Sequence, residues 1–261
     1  MLVLCYGMPK SGSTLAFELV KGVLKHGGFE QENFINDQTG DESLKTPGPG
    51  KRNFIRGVEK EKLAGLMERI GPNRKIAIKT HTDFPDPLFE WFEEMQGKGE
   101  LQIFASYRDP REMVLSLRDA AERAKKQGFD AFVENAEGRR VLRNVRNRIL
   151  EFRKWASVKG AVRLDYDTVG FLPDEAISQI EKTLGVTSDH EAAKHYAFHE
   201  AATQRNKAKK SRYRDELSAE ENKEMLRRYG DFIQRVCELN DQTWFDECRA
   251  EMLEHTASEQ A

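Results

Sequence analysis

The first 28 residues contain an apolar run, a glycine-bearing turn and an amphipathic helical pattern in direct succession. Residues 2–6 are apolar and end before Gly7, as is typical of a buried strand. A helical pattern follows from Ser13 to the Gly27-Gly28 pair. Strand, turn and helix form the opening half of a βαβ unit, which requires a parallel sheet covered by helices.

The same alternation continues along the chain. Further strands are predicted at 75–80, 101–107 and 161–166, and helices at 59–70, 85–95, 110–126, 132–158 and from 173 onward. Residues 28–57 are polar and irregular, so we expect a functional or disordered loop there. We predict one domain over residues 1–255 and a disordered tail over 256–261. Its predicted class is α/β, with three αβα layers, a central parallel sheet and a helical C-terminal part.

The composition excludes several classes of protein. With 42 Lys and Arg against 44 Asp and Glu, the chain is not a generally basic nucleic-acid binder. No apolar run approaches the ~20 residues that span a membrane, and the N-terminus lacks the features of a signal peptide. The three cysteines have no metal-ligand spacing, and no acidic metal cluster stands out. We therefore expect a soluble cytoplasmic protein without a bound metal.

The turn after the first strand reads Gly-Met-Pro-Lys-Ser-Gly-Ser-Thr over residues 7–14. Its backbone N–H groups and the positive end of the following helix form an anion site, to which Lys10 adds a charge. Hydroxyl donors come from three side chains, Ser11, Ser13 and Thr14. The nucleoside-triphosphate pattern GxxxxGK[ST] fits except that a serine stands in the place of its lysine. We therefore expect an anionic ligand there, and a triphosphate is disfavoured.

This turn, together with further blocks in the same order, resembles the PAPS-dependent sulfotransferases, whose loop reads roughly Pro-Lys-Ser-Gly-Thr-Thr. Residues 9–14 here read Pro-Lys-Ser-Gly-Ser-Thr, and the resemblance spans most of the chain. It implies a P-loop NTPase-like sulfotransferase fold and the sulfuryl donor PAPS (3′-phosphoadenosine 5′-phosphosulfate). The residues to which it assigns donor binding in the turn are Lys10, Ser11, Gly12, Ser13 and Thr14.

A second block, Lys79-Thr80-His81, ends the second predicted strand. Ligands bind at this end of the strands in open parallel sheets, and an imidazole can accept an alcohol proton near neutral pH. The family has a Lys-x-His here, so the resemblance implies that His81 is the catalytic base and that Lys79 helps to place the sulfuryl oxygens. Lys10 would stabilise the charge on the departing phosphate.

Two further blocks concern the nucleotide. Arg108 follows the third predicted strand and Ser116 lies eight residues later, about two helical turns on. An arginine fork suits a dianionic phosphate, and the resemblance assigns both residues to the 3′-phosphate of PAPS. A pairing of Arg108 with a neighbouring carboxylate is the alternative. Tyr166, which ends the fourth predicted strand, matches the family tyrosine that approaches the adenine.

Residues 205–214, which we call the basic segment, lie where the family has a basic loop over the 3′-phosphate. Lys207 fits the family lysine, whereas Asn206 stands in the place of an arginine. The resemblance therefore implies that Lys207 contacts the 3′-phosphate, while Arg205, Lys207 and Lys209 remain alternatives for the charge that closes the site. A solvated basic segment is the functionally neutral alternative.

The resemblance implies transfer of a sulfuryl group from PAPS to a hydroxyl or amine of a small-molecule or carbohydrate acceptor. The second product would be adenosine 3′,5′-bisphosphate (PAP), with no metal and no nucleic acid involved. The identity of the acceptor and the oligomeric state stay open. One alternative is a P-loop small-molecule kinase that uses ATP and magnesium. The other is a non-catalytic module that binds anionic nucleotides or RNA through an arginine-rich helix and residues 207–214.

Overall fold

The centre of the molecule is a sheet of five parallel strands, in the order β2-β3-β1-β4-β5. The computed structural model describes residues 1–31, 34–35, 53–128, 139–201 and 209–259. Within these ranges the strands are β1 (Leu2–Gly7), β2 (Phe54–Ile55), β3 (Ile76–Thr80), β4 (Leu101–Tyr107) and β5 (Val162–Asp165). Strand β1 is buried along its whole length between β3 and β4.

Helices cover both faces of the sheet. In the described ranges they are α1 (Ser13–His26), α2 (Lys60–Ile70), α3 (Phe89–Gly97), α4 (Pro110–Gln127), α5 (Arg139–Ser157), α6 (Tyr166–Phe171), α7 (Pro173–Leu184), α8 (His190–His195), α9 (Tyr213–Glu216), α10 (Ala219–Asp231) and α11 (Gln242–Glu259). A 3-10 turn covers Asp86–Leu88, and π-helical stretches, Tyr196–Glu200 and Phe232–Glu238, extend α8 and α10. No helix in these ranges is both long and apolar enough to cross a lipid bilayer.

Two hydrophobic cores lie on opposite faces of the sheet. Leu2, Leu4 and Tyr6 of β1 enter one core with α2, α3, α5 and α11, whereas Val3 and Cys5 enter the other with α1 and α7. This alternation follows from the two-residue period of a strand. The predicted three-layer α/β architecture, with a parallel sheet and a helical C-terminal part, is therefore confirmed.

Aromatic side chains fill the core beneath α5. Trp155 lies at its centre, where it stacks on Tyr6 at a ring-centroid distance of 5.2 Å and packs edge-on against Phe84 at 5.0 Å. Further along α5, Phe152 contacts Phe245 of α11 at 6.1 Å. Because aromatic burial contributes strongly to core stability, the C-terminal helix is an integral part of this layer.

Three elements differ from the sequence expectations. Strand β2 lies within the stretch predicted to be irregular, and most of that stretch, residues 36–52, is outside the described residues. Strand β5 ends at Asp165, whose side chain caps α6, so that Tyr166 is the first helical residue rather than the last of a strand. Helix α11 continues to Glu259, into the segment predicted as a disordered tail.

Asn53 holds the edge of the sheet in place. Its side-chain oxygen accepts a hydrogen bond from the Ile35 backbone N–H (3.1 Å), and its side-chain nitrogen donates one to the Ala77 carbonyl (3.2 Å). The Asn53 carbonyl also accepts from the Lys79 N–H at 2.7 Å. A buried amide with these partners compensates for the short backbone pairing of β2.

We expect Asn53→Ala to lower the free energy of unfolding by about 2 to 3 kcal/mol, because it leaves buried backbone groups without their partner. Urea unfolding followed by circular dichroism measures the effect. Asn73→Ala, at an exposed position, is the control and should change stability by less than about 0.5 kcal/mol. Equal stability of the two variants would show that Asn53 does not hold the edge strand.

Candidate functional site

The candidate site lies at the carboxyl ends of the central strands. The chain leaves β1 for the β2–β3 side of the sheet and then crosses to the β4–β5 side, so the strand order reverses at β1. A crevice forms outside the strand ends at such a reversal. The turn of residues 7–14, His81 and Arg108 all follow directly from strands that meet there.

The turn after β1 leads into a helix whose start has no side-chain cap. Ser11 closes the turn, because its N–H (3.1 Å) and its hydroxyl (2.7 Å) both donate to the Met8 carbonyl. Gly12, with φ of 80°, is the N-cap of α1 and has no side chain to occupy the first N–H groups of the helix. Uncapped N–H groups at the positive end of a helix form an anion site.

Lys10 adds positive charge to the turn in an unusual backbone conformation. Its φ is 70°, a left-handed value that a lysine adopts only where the surrounding structure imposes it. Partial burial and the nearby Arg123 lower the pKa of Lys10, and Asp119 opposes this. Arg123 and Asp119 both belong to α4, so Lys10 lies within the electrostatic influence of this helix.

Lys79 joins β3 to the first turn of α1. Its side chain is buried, and Nζ donates a hydrogen bond to the Thr14 hydroxyl at 2.7 Å. A buried ammonium group needs polar partners, and this contact places the charge of Lys79 at the start of α1, next to the turn.

His81 lies against the opposite end of the turn. Its Nδ1 is 2.5 Å from the Gly7 carbonyl, and its ring is 5.6 Å from that of Phe54. Because a carbonyl oxygen only accepts, Nδ1 carries the proton and Nε2 is the basic nitrogen. Burial, helped by Lys79, lowers the pKa of His81 from 6.5 to about 3, so the ring is neutral near pH 7.

Arg108, Tyr166 and Gly12 form a stack beside the turn. The guanidinium carbon of Arg108 lies 4.0 Å from the centroid of the Tyr166 ring. That ring covers Gly12 so closely that a Cβ there would be 2.2 Å from Tyr166 Cδ2. Arg108 is buried, its Nη2 donates to Glu112 Oε2 at 2.9 Å, and its Nε has no hydrogen-bond partner among the described residues. An arginine donor without a partner in a buried site suits an anionic ligand.

The structure brings most of the predicted site residues together, whereas part of the basic segment lies outside the described residues. Ser116 is buried on α4, on the helix that follows Arg108. Lys207 and Arg205 lie outside the described residues, whereas Lys209 is described and its ammonium pairs with Asp215 at 2.6 Å. In the described part of the chain, no cluster of three or more His, Cys, Asp or Glu side chains has the arrangement of a metal site.

The structure adds two groups, one paired with Arg108 and one packed on α4, to which sequence reasoning gave no individual role. One is Glu112, which pairs with Arg108. This pairing is the alternative in which Arg108 contacts a neighbouring carboxylate. The other is the Arg212–Tyr213 pair at the end of the basic segment, which packs on α4. The spacing of four between Arg108, just before the predicted helix, and Glu112, in its first turn, could have identified the first. No comparable local signal marks the second.

The solved structures that this fold resembles include two complexes with PAP. The mouse sulfotransferase SULT7A1 complexed with PAP matches with a TM-score of 0.50 and 13% identity, over 94% of this chain and 88% of that one. Retinol dehydratase in complex with androsterone and the inactive cofactor PAP has a TM-score of 0.49 and 16% identity, over 89% of this chain and 80% of that one. No protein-family model and no curated protein matches the sequence. The likeness to SULT7A1 confirms the predicted sulfotransferase fold.

The lowered pKa of His81 predicts a loss of stability in mild acid. Protonation of His81 favours the unfolded chain. The stability that the neutral ring gives to the folded chain is therefore complete above pH 6.5 and declines as the pH falls toward 3. We expect that lowering the pH from 7 to 5 reduces the free energy of unfolding less in His81→Gln than in the wild type. The difference should be about 1 to 2 kcal/mol. Urea unfolding at both pH values measures this difference.

The control for this measurement is His199→Gln, which replaces an exposed histidine on the π-helical stretch after α8. It should follow the wild-type pH dependence. If His81→Gln does so as well, the imidazole of His81 is not desolvated in the folded protein.

Proposed function

We propose that this chain is a PAPS-dependent sulfotransferase that transfers a sulfuryl group to a hydroxyl or amine of a small-molecule or carbohydrate acceptor. The observation that carries the proposal is that a neutral imidazole and a buried ammonium group both lie on one anion-binding turn. His81 Nδ1 contacts the Gly7 carbonyl at 2.5 Å and Lys79 Nζ contacts the Thr14 hydroxyl at 2.7 Å. A base, a cation and a set of N–H donors are the groups that in-line transfer of an anionic group requires.

The residues around the turn fit the parts of the donor. In this proposal, the N–H groups of the turn and Lys10 hold the 5′-phosphosulfate, and Tyr166 covers the adenine end. Arg108, Ser116 and Lys207 hold the 3′-phosphate. The buried Arg108 Nε, which lacks a partner among the described residues, supports an anion on this side of the Tyr166 ring.

PAPS supplies an activated sulfuryl group, whose transfer breaks the bond from sulfur to the phosphate oxygen and releases PAP. His81 Nε2 accepts the proton of the acceptor as the acceptor oxygen or nitrogen attacks sulfur. Lys10 and the N–H groups at the start of α1 stabilise the charge left on the phosphate, and Lys79 orients the sulfuryl oxygens. None of these steps requires a metal ion.

The electrostatics of His81 are consistent with this role. An imidazole with a pKa of about 3 is neutral near pH 7, and neutrality is the state in which it can accept a proton. Negative charge bound at the turn raises the pKa of a nearby imidazole. We therefore expect His81 to become a stronger base when the donor is in place.

The choice of nucleotide tests this function against a kinase. PAP should raise the melting temperature because it binds the folded chain, by an amount that corresponds to about 2.7 kcal/mol at a concentration of 100 Kd. AMP, which lacks the 3′-phosphate, should stabilise much less, and ATP with magnesium should have little effect. Differential scanning fluorimetry measures all three. Stabilisation by ATP with magnesium but not by PAP would favour a P-loop kinase instead.

His81→Gln tests the base. With labelled PAPS and any phenol, alcohol, sugar or amine that the wild type sulfates, we expect turnover to fall by about 100-fold or more. PAP affinity, measured by calorimetry, should change by less than about threefold, because glutamine can still donate to the Gly7 carbonyl. His199→Gln should match the wild type in both measurements. Unchanged turnover in His81→Gln would exclude His81 as the base.

A further inference from the structure

Glu112 on α4 uses its two carboxylate oxygens on two different parts of the chain. Oε2 accepts from Arg108 Nη2 at 2.9 Å, and Oε1 accepts from the Tyr213 backbone N–H at 3.0 Å. The side chain is 4% exposed, so neither contact is weakened by solvent. Glu112 therefore connects the arginine beside the turn to the end of the basic segment.

At its first contact, Glu112 fixes the direction of the Arg108 fork. The opposite restraint on Arg108 is the Tyr166 ring, 4.0 Å from the guanidinium carbon, and that ring in turn rests on Gly12. A guanidinium held by a carboxylate on one nitrogen and an aromatic ring on its face has one orientation. In this orientation, Nε is the buried donor without a partner among the described residues.

At its second contact, Glu112 fixes the point at which the basic segment ends. Tyr213 begins α9 there, and its ring packs against the Arg111 guanidinium at 3.8 Å. The preceding residue, Arg212, is buried and pairs with Asp119 at 2.9 Å. Arg111, Glu112 and Asp119 all belong to α4, so this helix holds the end of the segment through three side chains.

Charge neutralisation alone does not account for this arrangement. One carboxylate oxygen is enough to pair with the buried Arg108, yet the second oxygen binds a backbone N–H 101 residues away. A carboxylate next to a proposed phosphate site also repels the phosphate. The position of Glu112 is explained if its carboxylate holds Arg108 in the orientation that the phosphate site needs.

We propose that Glu112 is a positioning residue that sets Arg108 and residues 209–214 in one fixed relation, so that Arg108 is held in the orientation that binds the 3′-phosphate of the donor. The inference rests on the proposed function, because it concerns the 3′-phosphate site of that function. Glu112 makes no contact with the donor in this proposal and acts through Arg108 and through residues 209–214.

Glu112→Gln is a sharp test because it preserves size and shape. A glutamine has one carbonyl oxygen and one amide nitrogen, so it can accept from Arg108 or from Tyr213 but not from both oxygens. We expect PAP affinity to fall by about tenfold, as for the loss of a hydrogen bond to a charged group, while AMP affinity falls by less than about twofold. Calorimetry with the two nucleotides measures this preference.

A second measurement follows the anchor without any nucleotide. Trypsin cleaves after Lys209 and Lys210, whose side chains are exposed. If Glu112 fixes the end of the basic segment, Glu112→Gln should increase the rate of cleavage there by about tenfold. Glu122→Gln, at an exposed position on the same helix, is the matched control and should leave both measurements unchanged.

Asp119→Asn separates the two contacts. It weakens the pairing of Arg212 and leaves Arg108 on Glu112, so we expect faster cleavage at Lys209 and Lys210. Because Asp119 also acts on the charge of Lys10, this variant tests the anchoring of residues 209–214 and not the affinity for PAP. This variant also keeps the anchoring part testable if Glu112→Gln fails to fold. Wild-type cleavage in Asp119→Asn and Glu112→Gln alike would overturn the proposal.

The remaining outcomes distinguish this proposal from the function on which it rests. If the wild type does not prefer PAP to AMP, the proposed function is wrong, whatever the cleavage experiment shows. If the wild type has that preference and Glu112→Gln keeps it, only the role of Glu112 is wrong. If Glu112→Gln weakens PAP and AMP equally, with a lower melting temperature, Glu112 is structural and the proposal fails.

Discussion

The close packing of the turn after β1 is the constraint on which the candidate site depends. A Cβ on Gly7 would lie 2.1 Å from Ser13 Cβ and 2.6 Å from Ser106 Oγ, and a Cβ on Gly12 would lie 2.2 Å from the Tyr166 ring. The two glycines therefore allow β4 and α6 to approach the turn. Because the backbone comes this close, its N–H groups, rather than side chains, would form the floor of the proposed anion site.

Three positively charged side chains, buried or partly buried, lie around this turn. Lys79 and Arg108 are buried, Lys10 is partly buried, and each belongs to a different strand–helix connection. Buried cations need compensation, which the Thr14 hydroxyl gives to Lys79 and the Glu112 carboxylate gives to Arg108. An anion at the turn would complete this compensation, and so the electrostatics and the proposed donor are consistent with each other.

How far the sequence predicts this structure depends on whether the signal is local. The β1–turn–α1 unit and strands β3 and β4 were predictable, because apolar runs bounded by turn residues are local signals, and parallel pairing then brings His81 and Arg108 to one edge. Strand β2 was missed because its two residues show no periodicity and depend on Asn53. The shift of Tyr166 into α6 depends on the Asp165 cap, which the sequence does contain.

The long-range contacts of the site were beyond sequence reasoning for a different reason. Tyr213 reaches Glu112 across 101 residues, and no periodicity or spacing encodes such a contact. The same applies to the burial of His81, the main cause of its lowered pKa, because its ring lies against the Gly7 carbonyl, 74 residues away in the chain. Under the proposed function, an anion bound at the turn would raise the pKa of this imidazole and so prepare the base that acts on the acceptor.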